Sequence, residues 1–356
     1  MSHRFLLATA GLGLSILTMP VAAQQQLNLF NWSDYIDPAL IEAFEDETGI
    51  DVVLNYYNSN AEMFSKLTAG GDAQYDVIVP SGYFMPRLIG AGLVQPLAAE
   101  GESLPGREAI LEEFKTPDYD PEGRYTVPYL WGMTGIAYNT ETWPDPQPSW
   151  ALLYDPEVND AQPFALLKGD AQFTFGTACA YLGYGFDCVG KEPWIEAARL
   201  VSETRQRDNF VGFVDATATI EQLARGTIQA GVAYNGDLAN KLAESSETYG
   251  KIGFFIPEEG SQRWVDVLAI PARAPHPEAA KTFIKYMLRP DVAAQLANYN
   301  RYTTPNKEAL ALVDPALREP PVMPDTQTRQ RLVSTPSVSG DTLQLLQQLW
   351  NEAQSR

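Results

Sequence analysis

Residues 27–36 read LNLFNWSDYI, an apolar segment that runs directly into an aromatic and acidic one. The first four residues have the character of a buried strand, and Asp37 followed by Pro38 is typical of a helix N-terminus. In an open α/β sheet, ligands bind beyond the carboxyl ends of the strands. We therefore expect Trp32, Asp34 and Tyr35 to lie at a binding cleft. The alternative is that the two rings only cover the hydrophobic core.

The chain continues as an alternation of strands and helices. The pattern predicts a helix that ends at Gly49, a strand over 51–57, a helix over 60–69 and a strand over 75–79. This βαβαβ order implies a mostly parallel sheet flanked by helices. Ser81 and Tyr83 follow the third strand, so they should emerge at the same edge of the sheet as Trp32.

The second half of the chain has its own alternation of strands and helices, which indicates a second α/β lobe. Residues 124–139 are predicted as two extended segments broken at Trp131-Gly132, where the chain first crosses between lobes. Further crossings are expected near Pro257 and Tyr302. A last helix over 341–352 should dock on the second lobe.

The N-terminus has the composition of a secretory signal peptide. Arg4 precedes an apolar run over 5–17, and Val21-Ala22-Ala23 provides small residues for cleavage. The apolar run is too short to cross a bilayer. We expect cleavage near Ala23 and an exported protein without a lipid anchor.

Composition limits the classes of function. The chain has 356 residues, 45% of them hydrophobic and 20% charged, which is enough for two domains with real cores. The formal net charge of −20 argues against nucleic-acid binding, because such proteins present lysine and arginine to phosphates. The same acidity is compatible with a cationic ligand.

Cys179 and Cys188 are the two cysteines of the chain. An exported protein can form a disulfide, and a separation of nine residues would close a small loop. We favour the disulfide over two buried free thiols. Two cysteines without nearby histidines are a poor zinc site, and we expect neither a metal nor a cofactor.

Carboxylates recur among aromatic residues at predicted strand ends and loop starts. A cation with a methylene stem needs carboxylates for its ammonium groups and flat rings for its carbons, and each well-placed ring adds about 0.5 to 2 kcal/mol. The alternative is that the acids are helix caps or solvated turns and the rings belong to the core. The carboxylates are Asp34, Asp170, Asp237 and Asp266, and the rings are Trp32, Tyr35, Tyr83, Tyr234, Trp264 and Tyr302.

Signals of an enzyme are weak. His276 is the one histidine left after removal of the signal peptide, which argues against a Ser-His-Asp triad and against a histidine metal cluster. No GxSxG or HExxH motif occurs. An acid pair such as Asp237 and Asp266 could hydrolyse a glycoside, and a secreted carboxylate-dependent hydrolase stays open as an alternative.

Seven motifs resemble those of the periplasmic polyamine-binding proteins, the spermidine and putrescine receptors of ABC importers. In chain order they are NWSDYI, YDVIVPSGYF, PYLWGMTGIAYN, AYNGDLA, WVDVLAIP, LRPDVA and RYTTPN. The resemblance implies an α/β, two-lobed periplasmic-binding-protein fold of the Venus-flytrap type (type II), without catalysis. The corresponding division is a signal peptide over 1–23, a first lobe over 24–132 and 262–302, and a second lobe over 133–261 and 303–356.

The resemblance also assigns site residues, position by position. It puts at the ligand the residues Trp32, Asp34, Tyr35, Ser81, Tyr83, Asp170, Tyr234, Asp237, Trp264, Asp266 and Tyr302. In the family a glutamate commonly follows three residues after the position of Asp170, and here Phe173 stands there. We expect Phe173 to line the cleft in place of that anchor.

The function implied is capture of a putrescine- or spermidine-like cation in the periplasm and its delivery to the membrane permease of an ABC importer. The protein is expected to be a monomer that does not bind nucleic acid. Another cationic amine such as agmatine is the alternative ligand.

Overall fold

The structure is a computed structural model that describes residues 25–100, 102 and 104–355. The predicted signal peptide and its cleavage near Ala23 lie outside the described residues. Within those ranges, no helix has the length and apolar character needed to cross a membrane.

The structure contains short strands separated by helices, as the alternation predicted. The strands are β1 (Gln25–Trp32), β2 (Ile50–Tyr57), β3 (Val77–Ile78), β4 (Val94–Gln95), β5 (Val127–Asn139), β6 (Phe164–Leu167), β7 (Phe210–Val214), β8 (Ala230–Tyr234), β9 (Ile252–Phe255), β10 (Ser261–Leu268), β11 (Ile270–Pro271) and β12 (Leu332–Val333).

The α-helices pack against these strands. They are α1 (Pro38–Thr48), α2 (Asn60–Thr68), α3 (Met85–Gly90), α4 (Ala151–Tyr154), α5 (Ala171–Tyr181), α6 (Lys191–Arg205), α7 (Ala216–Ala224), α8 (Asn235–Glu244), α9 (Ser246–Tyr249), α10 (Pro277–Met287), α11 (Pro290–Asn300), α12 (Thr326–Gln330) and α13 (Gly340–Ser355).

The opening βαβαβ unit is confirmed. β1 lies between β2 and β3 and pairs with both in parallel. The carboxylate of Asp37 accepts a hydrogen bond from the Ala39 backbone N–H at 2.9 Å, which caps α1 as predicted. The helix ends at Gly49, whose φ of 68° is the left-handed conformation that glycine adopts readily. Trp32 therefore ends β1 beside the segment that follows β3.

β5 is one continuous strand, and the predicted break at Trp131-Gly132 is wrong. Its first half pairs with β10, from Val127 to Met133. Its second half pairs with β8 and β9, from Thr134 onward. Because two sets of neighbours complete its hydrogen bonds, the strand stays extended through the glycine and joins the two halves of the molecule.

The core divides into a first cluster around β1 and β3 and further clusters on the two faces of the β6–β8 sheet. The prediction that residues 303–356 all lie in the second lobe does not agree with this packing. Side chains from Ala309 to Leu332 belong to the first cluster. Leu346, Leu349 and Ala353 of α13 belong to the second, so the last helix docks where it was expected.

Cys179 and Cys188 form the predicted disulfide, which closes the loop after α5. Cys179 is fully buried in the second cluster. The bond therefore connects the end of a buried helix to the segment that precedes α6, where Cys188 O accepts a hydrogen bond from the Trp194 indole at 3.1 Å.

We expect the double variant Cys179→Ser/Cys188→Ser to lose about 2 to 3 kcal/mol of unfolding free energy, because a loop of this length is no longer restricted in the unfolded chain. Urea denaturation monitored by circular dichroism measures the loss. The wild type in reductant should show the same shift, and the variant should not respond to reductant. Equal stability of the oxidised wild type and the variant would contradict the prediction.

Candidate functional site

Asp266 is the most buried carboxylate of the predicted site, with 7% of its surface exposed. Its two oxygens accept hydrogen bonds from the Ser81 hydroxyl at 2.8 Å and from the Tyr35 hydroxyl at 2.9 Å. The pairing of β10 with β5 shifts register directly after Asp266, and such irregularities re-aim side chains. Three segments that are distant in sequence thus meet at one carboxylate.

Burial raises the pKa of Asp266 to about 6, although the two hydroxyl donors act in the opposite direction. No arginine, lysine or histidine of the described residues forms an ion pair with it. The surrounding titratable groups are tyrosines, whose pKa values are raised mainly by burial and further by the charge of Asp266. They are Tyr35, Tyr57, Tyr83, Tyr119, Tyr129, Tyr234 and Tyr302.

Asp237 is the second carboxylate of the cleft and lies in the first turn of α8. It accepts hydrogen bonds from the hydroxyls of Tyr302 and Thr217. Burial raises its pKa, whereas these two donors and the charge of Lys241 lower it. The Tyr302 ring lies against Gly236, where a Cβ would be 2.3 Å from the ring, so this glycine allows the ring to reach Asp237.

Four aromatic rings form a continuous row, of which the first, Tyr35, donates to Asp266 and the second, Tyr302, donates to Asp237. Tyr35, which donates to Asp266, has its ring centroid 6.2 Å from that of Tyr302. Tyr302 packs edge-on against Trp264 at 4.8 Å, and Trp264 packs against Tyr234 at 6.0 Å. Each ring meets the next edge-on, and the row gives the two carboxylates an apolar, aromatic flank.

Asp170 caps α5 and accepts a hydrogen bond from the Phe173 backbone N–H at 2.8 Å. It is half-buried, and burial raises its pKa. Tyr83 approaches from the other half of the molecule, since the charge of Asp170 is the largest cause, after burial, of the raised pKa of Tyr83. The Ser337 hydroxyl also donates to Tyr83 O at 2.6 Å, so Tyr83 contacts both halves.

Two predicted residues stand apart from this cluster. The indole N–H of Trp32 donates to Val79 O at 2.8 Å, and its ring packs on Tyr57 at 4.6 Å, so Trp32 supports the end of the first sheet. Asp34 is exposed and has a φ of 54°. Within the described ranges it makes no hydrogen bond to the other ten predicted residues.

The expectation that Phe173 lines the cleft is wrong. Its side chain is 1% exposed and packs in the second core against Trp150 at 6.2 Å and Phe186 at 5.6 Å. The cap formed by Asp170 fixes the first turn of α5, and the third position of that turn faces inward. Only the backbone N–H of Phe173 reaches the site.

Several contacts of the cluster come from residues that the sequence did not single out. Asn60 Oδ1 accepts from the Ser81 backbone N–H at 3.1 Å, and Tyr129 donates to Tyr35 O at 2.8 Å. Thr217 reaches Asp237 from the start of α7. No local pattern marks these residues, although Asn60 directly follows the helix cap Ser59.

Rings and acids that meet between two α/β cores are the arrangement expected of a two-lobed solute-binding protein. The family model described as bacterial extracellular solute-binding protein matches residues 39–324. The chain belongs to this family, whose members bind solutes rather than transform them, and the predicted two-lobed type II fold is confirmed.

Individual relatives are similar over nearly the whole chain. The spermidine/putrescine-binding periplasmic protein of Salmonella typhimurium is 33% identical over 328 residues, 91% of this chain and 90% of the relative. The putrescine/agmatine-binding protein of Pseudomonas aeruginosa is 33% identical over 314 residues, 85% of this chain and 84% of the relative.

A solved structure shows the same fold. The substrate-binding protein of a spermidine/putrescine ABC transporter from Streptococcus pneumoniae superposes with a TM-score of 0.78 at 27% identity, covering 93% of this chain and 98% of the other. These similarities give the hydrolase alternative no support. The described residues also contain no group of three or more His, Cys, Asp or Glu side chains placed to hold a metal ion.

We expect Asp266→Asn to raise the unfolding free energy of the ligand-free protein at pH 7 by about 1 to 3 kcal/mol, because it removes a buried charge without a cationic partner. Below about pH 3 the carboxyl is protonated in the folded and unfolded chains, so this difference should vanish. It should grow as pH rises from 4 to 6, where only the unfolded chain ionises, and then level off.

Asp120→Asn is the matched control at another buried aspartate. The Asp120 carboxylate accepts hydrogen bonds from the backbone N–H groups of Arg124, Tyr125 and Thr126 at 2.9 to 3.0 Å. Its replacement should lower stability at pH 7. If Asp266→Asn also lowers stability, the charge of Asp266 is not a cost to the fold.

Proposed function

We propose that the protein captures a polyamine or a related cationic amine between its lobes and delivers it to the permease of an ABC importer. The observation that carries this proposal is the set of carboxylates Asp170, Asp237 and Asp266. Burial raises the pKa of all three, and none forms an ion pair with a described basic side chain. A buried carboxylate is stabilised by an opposite charge, and here the ligand supplies it.

The geometry of the rings favours an amine with a methylene stem. Asp266 and Asp237 accept hydrogen bonds from adjacent rings of the row, Tyr35 and Tyr302, whose centroids are 6.2 Å apart. Ammonium groups at the two carboxylates would place the connecting carbons along ring faces, where burial and cation–π contact both contribute. A short diamine supplies one ammonium group to each of these two carboxylates.

The names of the relatives agree with a cationic amine as the ligand and do not single out one amine. The Salmonella protein is described as binding spermidine and putrescine, and the Pseudomonas protein as binding putrescine and agmatine. A guanidinium forms the same charge-assisted hydrogen bonds with a carboxylate as an ammonium. Agmatine therefore remains the second candidate beside putrescine and spermidine.

The proposal also includes export of the protein to the periplasm. The relatives that are described as periplasmic support a periplasmic location. The basic start, the apolar run and the small residues before Gln24 support a signal peptide cleaved near Ala23. The protein would act there as a monomer and dock on the permease.

The lobes are proposed to move about three connections. β5 crosses between Met133 and Thr134, where its neighbours change from β10 to β8. The chain returns near Ser261 at the start of β10. The third connection is the segment 334–339, because Leu332 packs in the first core and Val338 in the second.

We expect calorimetry to detect binding of putrescine, spermidine or agmatine, and Asp266→Ala to weaken that binding by about 3 to 5 kcal/mol, since it leaves an ammonium buried without its partner. Asp208→Ala is the matched control: it removes the same charge from an exposed position before β7. Its affinity should equal that of the wild type. A loss below tenfold in Asp266→Ala contradicts the role of Asp266, and no binding of any of the amines contradicts the function.

Saturating ligand should lower the radius of gyration measured by small-angle X-ray scattering, because carboxylates from both lobes close on one cation. Asp208→Ala should show the same decrease, and Asp266→Ala should show none at the same ligand concentration. An unchanged scattering profile at saturation in the wild type would count against closure.

A further inference from the structure

Gly82 lies between two residues of the proposed site, Ser81 and Tyr83, and the ring of Tyr119 packs directly on it. A Cβ at position 82 would lie 2.5 Å from Tyr119 Cε1 and 2.6 Å from Cζ. These distances are too short for any side chain. Gly82 does not have a left-handed φ, so what its missing side chain provides is room for the ring.

Tyr119 is held in place by the turn that follows it. The Asp120 carboxylate accepts hydrogen bonds from the backbone N–H groups of Arg124, Tyr125 and Thr126, and from the Thr126 hydroxyl at 2.9 Å. Thr126 directly precedes β5, the strand that pairs with the strand of Asp266. The ring therefore rests on a rigid base that is connected to the site.

The segment beneath the ring has little freedom on its other side. The Ser81 backbone N–H donates to Asn60 Oδ1 at 3.1 Å, and Val267 N–H donates to Pro80 O at 2.9 Å. The Ser81 hydroxyl then reaches Asp266 at 2.8 Å. A hydrogen bond weakens steeply once its angle falls below about 120°, so the strength of this one depends on how the backbone at Ser81 and Gly82 is held.

The ring of Tyr119, rather than its hydroxyl, makes this contact. The hydroxyl is buried and has no hydrogen-bond partner among the described residues. An unpaired buried hydroxyl is a cost to the fold. Phenylalanine at this position should thus keep the contact, whereas a smaller aliphatic side chain should lose it.

We propose that Tyr119 is a positioning residue of the cleft, whose ring packs on Gly82 and holds the Ser81 hydroxyl against Asp266. The consequence for binding rests on the proposed function. The consequence for Asp266 does not, because the hydrogen bond from Ser81 is present in the ligand-free protein. Loss of that donor leaves the carboxylate less stabilised and should move its ionisation to higher pH.

The ligand-free test measures, from pH 4 to 8, the difference in unfolding free energy between each protein and the same protein with Asp266→Asn. In the wild type the difference should level off near the pKa of Asp266, about 6. In Tyr119→Leu and in Ser81→Ala the difference in unfolding free energy should level off about half a pH unit higher or more. Tyr119→Phe should level off with the wild type.

Tyr125→Leu is the matched control, because it removes a tyrosine ring from the same turn and the backbone contacts of Asp120 remain. It should level off with the wild type. The proposal is overturned if the pH at which the difference levels off is unchanged in Tyr119→Leu, or if it rises equally in Tyr125→Leu.

A second test uses putrescine affinity at pH 7. Tyr119→Leu should weaken binding about threefold or more, because Ser81 and Asp266 are no longer held in one position for the ligand, and Tyr119→Phe should not. Gly82→Ala should weaken it as well, since its Cβ collides with the ring, and Tyr119→Ala in that background should restore part of the loss. If the losses of putrescine affinity caused by Gly82→Ala and Tyr119→Ala simply add in the double variant, the collision between the Cβ and the ring is not the cause. If the wild type binds none of putrescine, spermidine and agmatine although Tyr119→Leu raises the pKa of Asp266, the proposed function fails and the positioning role stands.

Discussion

The structure of the site depends on a carboxylate that is buried without a positive partner. Asp266 is held by two hydroxyls, which solvate its charge less well than water does, and its pKa is raised by burial to about 6. A fold selected only for stability would place an apolar or amide side chain there. In the proposed function a cationic ligand brings the missing charge, which accounts for this cost.

Aromatic rings serve two purposes around this carboxylate. They exclude water, which strengthens the attraction between a bound cation and the acids. They also fix the positions of the acids, since Tyr35 donates a hydrogen bond to Asp266 and Tyr302 donates one to Asp237. Both aspartates thereby depend on the same row, although Asp266 lies on β10 and Asp237 on α8. In the proposed function, closure of the lobes and capture of the cation are therefore one event.

Local patterns determined much of the architecture. The βαβαβ start, the caps of α1, the strand ends that hold Trp32 and Ser81, and the docking of the last helix follow from periodicity, capping residues and proline positions, all of which act within a few residues. The acidic composition and the recurrence of Asp beside rings indicated a cationic ligand before any fold was known. The disulfide needed only the spacing of two cysteines and an oxidising compartment.

Tertiary structure decided which of these residues meet. Phe173 faces the core because the cap at Asp170 sets the rotation of α5, and no local pattern shows which face of a helix a distant sheet will cover. Residues 309–332 pack in the first core, far in sequence from the strands that form it. β5 stays unbroken because strands far away in sequence complete its backbone hydrogen bonds. Tyr119 and Thr217 have no motif. Their positions follow from loop paths and close packing, which depend on the whole chain rather than on neighbouring residues.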